Sequence, residues 1–212
     1  MIHIDFFHDT VCPWCRIGKR HLKLALEQWQ GETAEITYRS FFLDPAIPAE
    51  GRDFRAHMLA KGSGRISLEQ FFDPPRNLGA QSGLTFNFEK IEYAPNSLLS
   101  HRLIALAPDE KKETVVDAVY AAYFEEGRDI GSLDILLEIA AEQGLDAAEM
   151  RTLLEGTAAQ EQVLGEAQWA QQQEISGVPF FIFNNRYAFS GAQPPDVILE
   201  VLEKVREESE LD

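Results

Sequence analysis

Four residues near the start of the chain, Cys12-Pro13-Trp14-Cys15, have the types and spacing to do chemistry. They hold the only 2 cysteines among 212 residues. Two thiols with two residues between them can close into a disulfide and open again by exchange with another thiol. The same spacing can supply half of a tetrahedral zinc site. Zinc would then lack its other ligands. There is no second cysteine pair, and of the 5 histidines only His8 and His21 lie close to the motif, at spacings that no zinc finger uses. A cysteine at a helix start is seldom inert, which speaks against two buried structural thiols.

The elements around the motif must place it at such a helix start. Ile2, Ile4 and Phe6 alternate with His3, Asp5 and Phe7, the period of a short strand. Leu22, Ala25, Leu26 and Trp29 then fall on one helical face, and Gly31 is a stop signal. Between the two, Cys12 takes the N-cap and Pro13 the first helical position, where its missing N–H costs nothing. The backbone N–H groups of Trp14 and Cys15 then point toward the Cys12 sulfur. Orphan donors and the positive end of the helix dipole favour the Cys12 thiolate. Cys15, one turn on, is expected to be less exposed and less acidic. Cys12 is therefore the candidate nucleophile and Cys15 the thiol that resolves a mixed disulfide. Trp14 adds bulk and an indole N–H beside them, but no charge.

A second motif, Ser176-Gly177-Val178-Pro179, precedes the aromatic run Phe180-Phe181-Ile182-Phe183. On base rates an X-Pro bond at a strand entry is trans. A cis bond there would leave the Val178 N–H and C=O free to pair with an extended substrate near Cys12. Pro13, Trp14, Val178 and Pro179 are thus the candidate contact residues.

The rest of the chain falls into strand, helix, strand, a long helical block, strand, strand, helix. Ile36 to Leu43 reads as the second strand. From Pro45 to Gly79, Pro48, Gly51, Gly62, Gly64, Pro74, Pro75 and Gly79 punctuate short helical pieces. Leu98 to Ala107, Thr114 to Phe124, and Leu133, Leu136, Leu137 and Ala140 carry helical stripes. Gly144 fits a helix end that needs positive φ. Asp146 with Glu149, and Thr157 with Gln160, look like capping boxes, the second opening a helix to about Glu174. Asn184-Asn185 is a turn signal between strands Pro179–Phe183 and Tyr187–Phe189. Pro194 or Pro195 opens a last helix with Ile198, Val201, Leu202 and Val205 on its buried face. Residues Arg206 to Asp212 read as a polar, frayed end. This order predicts an α/β fold, a thioredoxin-like core made of 1–44 and 157–212, with a large all-helical insertion at 45–156.

With both motifs in hand, the chain resembles the DsbA-like branch of the thioredoxin superfamily. Within it, the chain is similar to the FrnE-like oxidoreductases, relatives of the 2-hydroxychromene-2-carboxylate isomerases and kappa-class glutathione transferases. The resemblance is carried by Asp9-Thr10-Val11-Cys12-Pro13-Trp14-Cys15 with Gly18, by Asn96 with His101-Arg102-Leu103, by Tyr123-Phe124 with Gly127-Arg128-Asp129-Ile130, and by Ser176 to Phe181 with Gly191-Ala192-Gln193. It implies a redox-active Cys12–Cys15 pair, a cis bond before Pro179, and a cytoplasmic thiol–disulfide oxidoreductase or isomerase. The related isomerases and transferases carry Ser where this chain has Cys12, so retention of both thiols favours dithiol chemistry. Some FrnE-like proteins carry a further cysteine pair near the C-terminus, and this chain has none.

Charge and composition narrow the partners. With 19 basic and 35 acidic residues the net charge is −16, which disfavours nucleic acid and anionic membranes. No secretory signal or membrane span is visible in the sequence, so a cytoplasmic location is expected. The expected partner is a disulfide- or thiol-containing protein or a small thiol. No bound cofactor or metal is required, and glutathione or another thiol is the candidate electron partner. The chain could be a monomer or a homodimer. Two other readings stay open: a glutathione-dependent isomerase or transferase acting on a small aromatic or polyketide-like molecule, and a non-catalytic binding module using the proline groove. His8, four residues before Cys12, is expected at an exposed strand end. Asn96 is expected to cap the helix that holds His101, which is as fit for structure as for substrate contact. Phe41, Phe42 and Phe180 to Phe183 are expected in the core.

Overall fold

The computed structural model describes residues 1–62 and 67–209. Gly64 and residues 210–212 of the polar tail, both singled out above, lie outside the described residues. The chain opens with β1 (Ile2–His8), α1 (Pro13–Gln28) and β2 (Ala34–Ser40). A mostly helical stretch follows: β3 (Arg52–Asp53), α2 (Phe54–Lys61), α3 (Leu68–Gln81), β4 (Tyr93–Ala94), α4 (Leu98–Leu106), α5 (Asp109–Ala121), α6 (Leu133–Glu142) and α7 (Ala147–Glu155). Then come α8 (Gln160–Gln172), β5 (Phe180–Phe183), β6 (Tyr187–Ser190) and α9 (Pro195–Ser209).

The sheet runs β2-β1-β5-β6, so β1, which leads into the cysteine motif, is an inner strand. β2 lies parallel to β1, with Ile4 opposite Ile36. β5 lies antiparallel, with Phe6 opposite Phe181, and β6 returns as a hairpin through Asn184 and Asn185, both at positive φ. Alternation decides what each face buries. Ile2, Ile4 and Phe6 join the large apolar cluster with Ile17, Leu22 and Ala25 of α1. The Phe6 and Phe181 rings stack there at 4.7 Å. Phe7 points the other way and stacks on Trp169 of α8 at 5.4 Å. α9 packs beside α1 with Ile198 and Leu202 fully buried, Val205 nearly so and Val201 half-buried. Phe181 and Phe183 are core, whereas Phe41, Phe42, Phe180 and Ile182 are half-buried.

The helical stretch departs from the sequence reading in three places. A two-residue antiparallel ladder pairs β3 with β4, too short to register as alternation. Pro74 and Pro75 do not punctuate; they sit inside α3. That helix is started by a capping box, Ser67 with Gln70, and its buried Phe72 stacks on Phe54 and Phe88, at 5.5 and 4.5 Å. Aromatic burial outweighs the hydrogen bonds the prolines forgo. Thr157 and Gln160 form no capping box: α8 begins after Ala159 at φ 57, with no side-chain cap. Arg102 claims this turn instead, donating to the carbonyls of Leu153, Leu154, Gly156 and Ala158. Gly144 does hold positive φ, and the Asp146 carboxylate accepts the N–H of Ala148 and Glu149.

Candidate active site

The C-terminal end of β1 delivers the chain straight into α1, and the turn between them builds the dithiol. Cys12 is the N-cap of α1, with extended backbone, and Pro13 occupies the first helical position. The Cys12 N–H donates to the Asp9 carbonyl at 3.0 Å, which fixes the turn. The Cys15 N–H donates to Cys12 Sγ at 3.3 Å. An orphan donor of the helix end is thus satisfied by the sulfur, a contact that favours a negative charge on it. Both cysteines are free thiols. Residue Cys12 is 2 % exposed and Cys15 0 %, while Trp14 between them is 38 % exposed. Burial pushes the Cys15 thiol well above its ordinary value. The adjoining Cys12 sulfur pushes it further, against a hydrogen bond from the Asp9 backbone that lowers it.

The second motif arrives on the loop before β5. The Val178–Pro179 peptide bond is cis. The Val178 carbonyl lies 3.7 Å from Cys12 Sγ, where it can accept from the thiol S–H. The Pro179 ring packs on Gly18 of α1 so closely that a Cβ there would stand 2.9 Å from Pro179 Cγ. Gly18, noted above only for its resemblance, is therefore what lets the helix and the proline loop meet. Cys12, Pro13, Trp14, Cys15, Val178 and Pro179 come together in space, although 162 residues of chain lie between Cys15 and Val178.

Beneath the thiols is a buried polar cluster that sequence reasoning missed. His8 is not an exposed strand-end residue: it is 1 % exposed. It stands at the end of an inner strand, and α4 and α5 of the helical stretch close over it. His8 Nδ1 lies 2.8 Å from the Tyr120 hydroxyl. The His8 and His101 rings meet edge-on at 5.2 Å. Burial holds the His8 pKa well below the usual imidazole value, and His101 and Lys19 lower it further. Burial raises that of Tyr120, and the charges of Cys15 and then Cys12 add to the rise. The Tyr120 hydroxyl also lies 3.5 Å from the Asp9 carbonyl. The Asp9 carboxylate accepts from the Leu43 N–H at 2.7 Å and stands 3.5 Å from His101 Nε2. Thr10 and Ser100 share a hydroxyl hydrogen bond at 2.8 Å, tying the turn before Cys12 to α4. Asn96 has a structural role: its Oδ1 accepts the Leu98 N–H, and its Nδ2 donates to the Ile47 carbonyl. Asp9 stood in the quoted motif without a role. Tyr120 carried no local signal at all, being an ordinary helix position more than a hundred residues from Cys12.

Among the described residues no group of three or more His, Cys, Asp or Glu is placed to hold a metal ion. None of the described helices is long and apolar enough to cross a membrane.

A four-stranded mixed sheet with a Cys-x-x-Cys at the N-terminus of its first helix, facing a proline loop, defines a thioredoxin-fold dithiol protein. The sequence comparisons make the class narrower. The chain belongs to the DSBA-like thioredoxin domain family, whose model matches residues 3–203. The YwbO protein of Bacillus subtilis is 28% identical over 200 residues, covering 92% of this chain and 93% of its own. A solved probable DsbA oxidoreductase from Streptomyces coelicolor is 30% identical, covers 98% of this chain and 91% of its own, and superposes with a TM-score of 0.89. The cytosolic disulfide reductase DsbM from Pseudomonas aeruginosa, solved with GSH, shares the fold at 19% identity and a TM-score of 0.59, covering 95% of this chain and 99% of its own.

Proposed function

We propose that the protein is a thiol–disulfide oxidoreductase in which Cys12 is the nucleophile and Cys15 the resolving thiol. The observation that carries this reading is the asymmetry of the pair. Cys12 Sγ receives a helix-terminal N–H, while Cys15 is enclosed with its thiol held protonated. Cys12 thiolate attacks one sulfur of a partner disulfide, and the other sulfur leaves as a thiolate. Cys15 then attacks Cys12 Sγ, the partner sulfur leaves with its electron pair, and a Cys12–Cys15 disulfide remains. The dithiol has lost two electrons and the partner disulfide has gained them; every step also runs in reverse. Pro13, Trp14, Val178 and Pro179 border Cys12 and are the contact surface for the partner. The Val178 carbonyl, close to the sulfur, is its backbone acceptor.

The partner is a protein or small molecule bearing a thiol or disulfide. Glutathione is the first candidate for electron exchange and the cytoplasm the first for location, both by likeness to the DsbM fold. No resident organic cofactor is needed, since the two sulfurs hold the electrons themselves. Isomerase or transferase chemistry on a small aromatic molecule is disfavoured by the presence of both thiols.

The test is equilibration of the purified chain in glutathione buffers of graded potential, followed by free-thiol count and by Trp fluorescence. A two-electron transition is expected. A midpoint at about −120 to −200 mV assigns disulfide donation or reshuffling, and one near about −270 mV assigns reduction. Cys15→Ser should accumulate a mixed disulfide on Cys12. A pair that never exchanges with glutathione, together with partner binding that survives Cys12→Ala, would replace this reading with a non-catalytic binding module.

A further inference from the structure

We propose that the free edge of β2 is a docking site for an extended, basic peptide segment of a partner protein, which adds to the sheet as a fifth strand. The site goes beyond thiol exchange and does not depend on it. β2 is the terminal strand of the four-stranded sheet, and among the described residues only β1 pairs with it. Its register with β1 runs unbroken over 7 residues, and it contains no proline. An edge strand of that length, with neither bulge nor proline to blunt it, is a template for another strand.

The hydrogen bonds at the two ends of β2 fix which backbone groups face outward. The Ile2 N–H donates to the Thr33 carbonyl, and the Phe41 N–H donates to the His8 carbonyl. Backbone groups of successive residues in a strand point to opposite sides, so the odd-numbered residues from Thr33 to Phe41 serve the β1 ladder. Ala34, Ile36, Tyr38 and Ser40 then turn their N–H and C=O groups to the open edge. Glu166 of α8 bears this out at one end, accepting the Ser40 N–H at 2.9 Å. The outward groups of Ile36 and Tyr38 meet no partner among the described residues, and both residues are half-buried. Donors and acceptors repeated at two-residue spacing match the backbone of an extended peptide. A small molecule offers no such repeat.

The edge has room beside it. A groove of about 340 Å³ lies between β2 and helices α4, α5 and α8, and Ile36 and Tyr38 both line it. Its carboxylates are Glu35, Asp109, Glu113 and Glu166, and its one ammonium is Lys112. Lys23 holds Glu113 at 3.0 Å and Arg39 stands 3.5 Å from Glu166. Lys112 bonds Asp109 at 2.7 Å, and exposed Glu35 keeps the rim negative. The chain as a whole carries −16, so a basic segment is drawn to this edge. A second copy of the chain would bring its own −16 to the same rim and is disfavoured by that repulsion.

The test follows the outward amides one by one, by hydrogen exchange of the ¹⁵N-labelled full chain. The probe is a blocked hexapeptide of alternating lysine and valine. In the free chain the Ile36 and Tyr38 amides should exchange faster than that of Thr37, which the β1 ladder holds. Saturating peptide should slow Ile36 and Tyr38 at least about tenfold and leave Thr37 as it was. A copy of the peptide N-methylated at every backbone nitrogen, and one with glutamate for lysine, should each bind at least about tenfold more weakly. Glu35→Lys should weaken the lysine peptide by about threefold or more. Binding without protection of Ile36 and Tyr38, or equal binding of the N-methylated copy, means contact through charge alone and overturns the proposal. Protection that rises with protein concentration in the absence of peptide means a second copy fills the edge, and overturns it too. So does a peptide that does not bind. Cys12 and Cys15 enter none of these readouts, so the dithiol reading stands or falls separately.

Discussion

Gly18 sets the distance between the dithiol helix and the proline loop, and its replacement by alanine tests that geometry. Alanine in a helix interior gains about 0.8–1.0 kcal/mol over glycine. At position 18 the added Cβ would meet Pro179 Cγ at 2.9 Å, Pro179 Cβ at 3.2 Å and Phe181 Cζ at 3.3 Å. Carbon atoms ordinarily rest about 3.5–4.0 Å apart, so the proline ring must retreat by roughly half an ångström. Phe181 is fully buried against Phe6 and has nowhere to go. Overpacking of this kind costs about 1–3 kcal/mol, which leaves Gly18→Ala between neutral and roughly 2 kcal/mol less stable. Gly165 supplies the control. It lies mid-way along α8, exposed, with nothing within 4 Å of an added Cβ. Gly165→Ala should gain the whole propensity term, about 1 kcal/mol. Propensity cancels between the two variants, so their difference is the overpacking cost, about 1–3 kcal/mol or roughly 3–10 °C in Tm. Urea unfolding of both variants measures it. The alkylation rate of Cys12 reports whether Pro179 carries the Val178 carbonyl off the sulfur as it moves. If Gly18→Ala stabilises as much as Gly165→Ala and leaves alkylation unchanged, the close approach of Pro179 does not position the site.

Two further outcomes follow from buried charge. Arg102 is almost fully buried and donates to four backbone carbonyls, at 2.8 to 3.1 Å, in the turn between α7 and α8. Arg102→Met would strand those acceptors and should lower stability by about 3–5 kcal/mol in urea titration; a loss under about 1 kcal/mol would mean the turn holds without it. His8, with its pKa held well below 6.5 in the fold, makes the protein acid-sensitive. Below about pH 6.5 the unfolded chain takes up a proton that folded His8 refuses, so stability falls with pH, by up to about 1.4 kcal/mol per unit, until the folded value is reached. His57 is shifted the same way and adds to the fall, so the readout is the difference: His8→Asn should lose less Tm than wild type between pH 7 and 5, and equal losses would refute the assignment.

What could be read in the sequence divides along a physical line. The dithiol and its helix were legible because a cap, a first-turn proline and a helical stripe are local features, settled within about twenty residues. The Asn184-Asn185 hairpin was legible for the same reason, whereas local base rates favoured a trans bond before Pro179 and only the resemblance implied the cis one. Errors arose where tertiary packing overrode a local rule. Pro74 and Pro75 read as breaks, yet α3 passes through them because Phe72 has Phe54 and Phe88 to stack on. Thr157 with Gln160 read as a cap, yet Arg102 had taken the turn. Nothing near those residues in sequence announces either partner.

His8 is the instructive case, because its misreading was a misreading of the helical stretch. Taken alone, a histidine at the end of a strand belongs in solvent. The strand is an inner one, however, and the helices inserted after β2 fold back over its end with Tyr120 and His101. Those helices therefore do more than decorate a redox core. They bury His8 at the end of the inner strand, with Tyr120 and His101 against it. A thioredoxin-type sheet without them would keep Cys12 at its helix terminus, with the same donor from the Cys15 N–H. The motif at the start of the chain thus sets the asymmetry of the two sulfurs, and residues a hundred positions away set what is buried beside the turn that holds them.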